Sequence, residues 1–163
     1  MKVLLAVDDS KFSEAATEAV IGQARPQDTK VRVLSVKEQP GHLTAGGMAG
    51  YDPELDNELK EEVREAEALV AKTAELLRSK GFEVTSSAEW GDPKYKIIDV
   101  AEEWGADLIV LGSHGRSGLS RFLMGSVSEA VARHAHCSVT IVRIPAGKSS
   151  VKAESVTMLQ GPD

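Results

Sequence analysis

The chain has 163 residues, with 19 basic and 25 acidic side chains and a net charge of −6. This length favours one domain with its own hydrophobic core, and the acidic balance argues against a general binding surface for nucleic acid or an anionic membrane. The single cysteine excludes an internal disulfide. Because the first apolar run is too short for a signal peptide or a membrane span, we expect a cytoplasmic protein.

The apolar patterns predict strands and helices in strict alternation. In chain order the predicted elements are the strand Val3–Val7, the helix 11–24, the strand Val31–Val36, the helix Pro53–Lys80, the strand Phe82–Ala88, the helix Pro93–Trp104, the strand Asp107–Leu111, the helix Gly125–His136 and the strand Val139–Arg143.

Local signals support several of these boundaries. Ser10 is suited to cap the first helix, Gly81 to end the second, and Pro93 to begin the third. Residues 38–52 predict a glycine-rich loop that could act as a lid or a partner surface. Residues 146–163 have no apolar periodicity and predict a mobile tail after a domain spanning 1–145.

Strands separated by helices predict parallel pairing with right-handed crossovers. Five such strands give an α/β fold with an open, doubly wound sheet, which binds ligands at the carboxyl ends of its strands. The most polar strand ends are Asp8–Ser10, after the first strand, and the segment from Gly112, after the fourth. If these two strands are neighbours, both segments face one crevice.

The segment from Gly112 to Ser128 predicts an anion site, because it joins a buried strand to a helix through four glycines. Glycines allow a ligand to approach the backbone, and the first N–H groups of a helix point at an anion. Arg116 and Arg121 add positive charge in this segment. The complete P-loop motif, with a glycine five residues before Gly-Lys-Ser/Thr, is absent from the sequence.

The spacing Gly112-x2-Gly115-x9-Gly125-Ser126 resembles the ATP-binding signature of the universal stress protein family. The resemblance extends from Lys2 to Ile144. It implies a Rossmann-like sheet with strand order 3-2-1-4-5, and a homodimer formed through the last strand, Val139–Arg143.

The resemblance also implies an adenine nucleotide, ATP or else ADP or AMP, bound with Mg²⁺. Asp8 and backbone groups of Ala6 and Val36 would hold the adenine, and the glycine segment would hold the ribose and phosphates. The residues assigned to the nucleotide are Ala6, Val7, Asp8, Val36, Gly112, Ser113, His114, Gly115, Arg116, Ser117, Gly118, Gly125, Ser126, Val127 and Ser128.

Simpler roles remain open for some of these side chains. Asp8 is also suited to a turn or a helix cap, and Ser126 to a plain N-cap. His114 either contacts the nucleotide or packs against the protein. Metal binding by the histidines at 134 and 136 is disfavoured, because residues two apart lie on different helix faces.

The expected function is that of an ATP-binding stress-response or signalling dimer. The sequence offers no dedicated catalytic base, so we expect at most slow ATP hydrolysis. The main alternative is a dimeric interaction module with a vestigial nucleotide site, and a nucleotide hydrolase or adenylyl-transfer enzyme is a further one. A receiver-like phosphorylation switch is disfavoured. Val7-Asp-Asp9 resembles the acidic pair of a receiver domain, but the sequence has neither the acceptor Asp directly after the third strand nor the Lys directly after the fifth.

Overall fold

The computed structural model describes residues 1–38, 53–115 and 124–144, together with the backbone of residues 154–158. Its strands are β1 (Lys2–Ala6), β2 (Lys30–Lys37), β3 (Glu83–Trp90), β4 (Leu108–Gly112), β5 (Ser138–Arg143) and β6 (Glu154–Met158). Its helices are α1 (Lys11–Gln23), α2 (Pro53–Ser79), α3 (Pro93–Trp104) and α4 (Ser126–His134), with a short 3₁₀ turn at Pro26–Asp28.

The strands form one sheet in the order β3-β2-β1-β4-β5-β6. The pairs among the first five strands are all parallel. This confirms the predicted doubly wound α/β fold and its order 3-2-1-4-5. The topology makes β1 and β4 neighbours, so the strand order reverses between their carboxyl ends.

The sixth strand is a correction to the sequence prediction. Where a tail was expected over 146–163, Glu154–Met158 pairs antiparallel with β5. The alternation of polar and apolar residues in β6 extends only over Ser155–Met158, which is too short to predict a strand, and the ladder itself is made by backbone groups. The edge of β5 is therefore paired within the chain. The rest of that tail, and residues 39–52 of the predicted loop, lie outside the described residues.

The core has two halves, one on each face of the sheet. Successive residues of β1 alternate between them: Val3 and Leu5 pack with α1 and α2, whereas Leu4 packs with α3 and α4. All three side chains are at most 1% exposed. Strands covered on both faces in this way read as continuous apolar runs, which is why they were recognisable in the sequence.

The helix boundaries follow the predicted local signals. Ser10 caps α1, its side chain accepting a hydrogen bond from the N–H of Ser13. Pro93 is the first residue of α3, after Asp92 as the N-cap. The segment after α2 turns at Gly81, whose φ of +91° is strained for any other residue. Within the described part of the chain, no helix is long and apolar enough to cross a membrane.

Candidate functional site

The loops that follow β1 and β4 meet at the carboxyl edge of the sheet. β1 pairs with β4 up to Leu5 and Val110; β1 then ends at Ala6 and β4 at Gly112. A Cβ atom on Gly115 would lie 2.9 Å from Oδ2 of Asp8. The predicted meeting of these two segments is therefore confirmed, and Gly115 is the residue that permits it.

Asp8 is held by the first turn of α1. Its backbone N–H donates to Oγ of Ser13 over 2.9 Å, and its Oδ1 accepts a hydrogen bond from the hydroxyl of Ser10. The side chain is half-buried, with Oδ2 on the side of Gly115. Ser10 rather than Asp8 caps the helix, so Asp8 supports the cap and directs one oxygen toward the crevice.

Gly112 has a packing role that the sequence did not reveal. A Cβ atom there would lie 2.6 Å from Cβ of Phe12 and 2.8 Å from its carbonyl carbon. Real Cβ atoms do not approach other atoms so closely. The absence of a side chain at Gly112 is what lets the first turn of α1 lie against the end of β4.

The start of α4 is bonded to the same loop. Gly125 is the N-cap, and its N–H donates to the carbonyl oxygen of Ser113 over 2.9 Å. The buried hydroxyl of Ser128 donates to the carbonyl oxygen of Gly112 over 2.8 Å. Ser126 is the first helical residue and is exposed. The alternative that Ser126 is a plain N-cap is wrong, because a glycine takes that position.

The first turn of α4 presents backbone donors at this edge. Its first internal hydrogen bond runs from the N–H of Glu129 to the carbonyl of Gly125 over 2.9 Å. The N–H groups of Ser126, Val127 and Ser128 precede that bond and point out of the helix end. The side chain of Val127 packs against the core, so this residue can serve a ligand only through its backbone.

His114 packs within the protein. Its ring centroid lies 5.1 Å from that of Phe12, and Nδ1 lies 3.1 Å from Oγ of Ser113. Of the two roles left open for His114, packing is therefore present in the structure. Phe12 lies in the first turn of α1, within the predicted helix 11–24. Its contacts with both Gly112 and His114 could not be read from helix periodicity.

A strip of β2 backbone borders the crevice. The pairing of β1 with β2 ends at Ala6 and Leu34, after which the N–H of Val7 donates to the carbonyl of Leu34 over 2.8 Å. β2 continues to Lys37. β1 therefore has no paired residue opposite Val36. A planar group could contact the backbone of Val36 from that side.

The remaining predicted residues lie outside the described part of the chain. These are Arg116, Ser117 and Gly118, together with Arg121. Among the described residues, no group of three or more His, Cys, Asp or Glu side chains is placed to hold a metal ion.

A separate cavity of about 310 Å³ lies at the opposite edge of the sheet. It is bordered by α1 and by the amino ends of β1, β4 and β5, with Val3, Val20 and Leu108 among its apolar walls. Ligands of doubly wound sheets bind at the carboxyl ends of the strands. We therefore place the candidate site at the Asp8–Gly115 contact rather than in this cavity.

Comparison with known proteins identifies the family. The model of the universal stress protein family matches residues 1–143. Universal stress protein YxiE of Bacillus subtilis is 34% identical over 146 residues, covering 87% of this chain and 98% of that protein.

Solved structures show the same fold. The structure of hypothetical protein MJ0577 superposes with a TM-score of 0.75 at 28% identity, covering 90% of this chain and 97% of that one. A universal stress protein family protein from Arabidopsis thaliana, solved with AMP bound, superposes with a TM-score of 0.61 at 20% identity, covering 93% and 97%. At that lower identity the likeness shows the fold alone.

Proposed function

Because this chain belongs to the universal stress protein family, we propose that it binds an adenine nucleotide at the carboxyl ends of β1 and β4. The observation that carries the proposal is the contact of Asp8 with Gly115, where a Cβ would come within 2.9 Å of the carboxylate. This contact brings an acceptor side chain, a glycine segment and the start of α4 to one crevice at the switch point of the sheet.

The base would lie between Asp8 and the end of β2. Oδ2 of Asp8 can accept a hydrogen bond from an adenine amino group or a ribose hydroxyl. Backbone groups of Ala6 and Val36 offer a donor and an acceptor to the edge of the base. Ser10 and Ser13 fix the carboxylate and its backbone before a ligand arrives, so little ordering is required on binding.

The phosphates would lie at the start of α4. The outward N–H groups of its first turn, at Ser126, Val127 and Ser128, combine with the positive end of the helix dipole to favour an anion. The exposed hydroxyl of Ser126 can add one more donor. We propose that Arg116, Ser117 and Gly118 contribute from the preceding segment.

ATP with Mg²⁺ is the proposed ligand, with ADP and AMP as the competitors to measure. The paired arginines in the glycine segment, Arg116 and Arg121, suit a polyphosphate better than a monophosphate, because each can form charge-assisted bonds to separate phosphate oxygens. Mg²⁺ commonly binds with phosphate oxygens and few protein ligands. The AMP seen in the Arabidopsis protein makes AMP a necessary part of the titration.

The test begins with mass spectrometry of the ligand that co-purifies, followed by calorimetric titration of ATP, ADP and AMP with and without Mg²⁺. Gly115→Val and Gly125→Val should abolish binding, because a β-branched side chain fills the approach to the backbone. Gly22→Val is the matched control, since a Cβ on Gly22 meets nothing within 4 Å. Folded variants that all bind as tightly as wild type would refute the proposal.

We propose at most slow hydrolysis of ATP. Asp8 is assigned to the adenine or ribose rather than to the phosphates, and Nδ1 of His114 lies 3.1 Å from Ser113 Oγ. Phosphate release measured with Mg²⁺ tests this. Rapid turnover would favour the hydrolase or adenylyl-transfer alternative.

The second candidate is an interaction module with a vestigial site. It is favoured by one observation: Gly112, Gly115 and Ser128 all have packing or bonding roles within the protein, so their presence does not require a ligand. No co-purifying nucleotide and no measurable affinity would support this candidate. In either case we propose a cytoplasmic stress-response or signalling protein whose two copies associate through the β5 edge, Val139–Arg143.

A further inference from the structure

The β5 edge is already paired within one chain. β6 runs antiparallel to β5 in continuous register, from Val139 opposite Met158 to Arg143 opposite Glu154. This register covers every residue of the strand predicted to associate with a second copy. Two strands cannot use the same row of backbone N–H and C=O groups at once.

β6 lies outside the part of the chain that the family model matches. The family model ends at residue 143, the last residue of β5, and β6 begins at Glu154. The five parallel strands therefore make up the domain that this chain shares with its relatives. β6, which covers the edge of that sheet, lies beyond the residues that the family model matches.

An uncovered β5 would be suited to pairing with another chain. Val139, Ile141 and Val142 are at most 2% exposed, and the strand contains neither proline nor lysine. Natural sheets protect such edges with charge, proline, a bulge or a covering segment. In this chain β6 is the covering segment.

We propose that β6 is a built-in competitor for the β5 edge, which limits pairing of that edge with a second copy of the chain. A strand tethered by a short linker acts at an effective concentration on the order of 1 mM. A second copy present at about 10 μM would then be at a roughly 100-fold disadvantage for the same edge. Association through β5 requires β6 to leave first. The inference rests on the proposed β5 association and does not depend on nucleotide binding.

The first test weakens β6 in the full chain. A Val156→Pro, Thr157→Pro double variant obstructs pairing, because alternate N–H groups of an edge strand point at its neighbour and one of these two adjacent prolines removes a donor of the ladder. Ser150→Pro is the control outside the strand. Hydrogen exchange at low protein concentration should show faster exchange of the Val139–Arg143 amides in the double variant alone. Sedimentation should show that this variant dimerises at a concentration at which wild type remains a monomer.

Hydrogen exchange tests whether β6 covers the β5 edge, and sedimentation tests whether two copies associate through that edge. Faster exchange without dimerisation would overturn the proposed β5 association and leave β6 as the cover of the edge. Exchange unchanged from wild type would overturn the cover itself.

A disulfide then shows which chain supplies β6. Arg143 and Glu154 face each other in the register, at a separation that a disulfide can bridge. In an Arg143→Cys, Glu154→Cys variant that also carries Cys137→Ser, oxidation should give a monomer on a non-reducing gel, and this locked protein should not dimerise. A disulfide-linked dimer would show that β6 pairs with another copy and would overturn the inference.

Discussion

The hydroxyl of Ser128 donates a hydrogen bond of 2.8 Å to the carbonyl oxygen of Gly112. This bond joins the first turn of α4 to the last residue of β4, sixteen positions earlier in the chain. Ser128 is only 3% exposed, so its hydroxyl is committed to the protein. Of the two serines in this turn, Ser126 is the one whose side chain faces outward.

The two serines should therefore separate stability from binding. Ser128→Ala should lower the free energy of unfolding by about 1–2 kcal/mol, because a hydrogen bond is lost and a carbonyl is left with one partner fewer. Ser126→Ala should leave stability within about 0.5 kcal/mol of wild type and weaken ATP binding several-fold. Urea unfolding and ATP titration of both variants check this. The reverse pattern would contradict the assignment.

Gly112 should tolerate no side chain. Gly112→Ala should lower the free energy of unfolding by about 1–3 kcal/mol, because the new methyl group would overlap Phe12 and force α1 away from β4. Thermal unfolding measures the loss. Gly22→Ala is the matched control: Gly22 lies within α1 and has open space around it, so alanine there should stabilise the helix slightly. Equal stability of the two variants would contradict the packing argument.

Cys137 should react slowly with thiol reagents at neutral pH. Burial raises the pKa of its thiol, and the negative charge of Asp107 adds to the effect. A raised pKa means less thiolate at pH 7, so alkylation should be slower than for a free thiol and should increase with pH beyond the ordinary cysteine range. Asp107→Asn should move the reaction profile to lower pH. A profile unaffected by that change would show that burial alone sets the pKa.

The parallel sheet was predictable because its strands are buried on both faces. Runs such as Val3–Val7 and Asp107–Leu111 are nearly continuous in apolar residues, and helices of clear amphipathic period separate them. β6 gave no such signal. An edge strand is held by backbone hydrogen bonds to its neighbour. Which strand becomes that neighbour is decided by the tertiary structure and not by the local sequence.

The position of the candidate site was predictable from the sequence, but the roles of its individual residues were not. Glycine spacing and a polar strand end placed Asp8 and Gly115 together. The sequence could not show that Gly112 makes room for Phe12, or that Ser128 bonds to the backbone while Ser126 faces solvent. Such roles depend on which atoms of distant segments meet, and a motif contains no information on these contacts.

Asp8 offers the sharpest test of the adenine end of the site. Asp8→Asn keeps the size of the side chain and an oxygen that can accept from Ser10, but it removes the negative charge. Hydrogen bonds to a charged acceptor are worth roughly 1 kcal/mol more than neutral ones, so affinity for both AMP and ATP should fall about 5- to 10-fold. Asp9→Asn makes the same charge change at the neighbouring, exposed residue and should leave affinity unchanged or slightly raised, because one repulsive charge near the phosphates is lost. Isothermal titration of both variants measures the difference. If Asp8→Asn, like Asp9→Asn, leaves affinity unchanged or raised, Asp8 does not contact the base or the ribose.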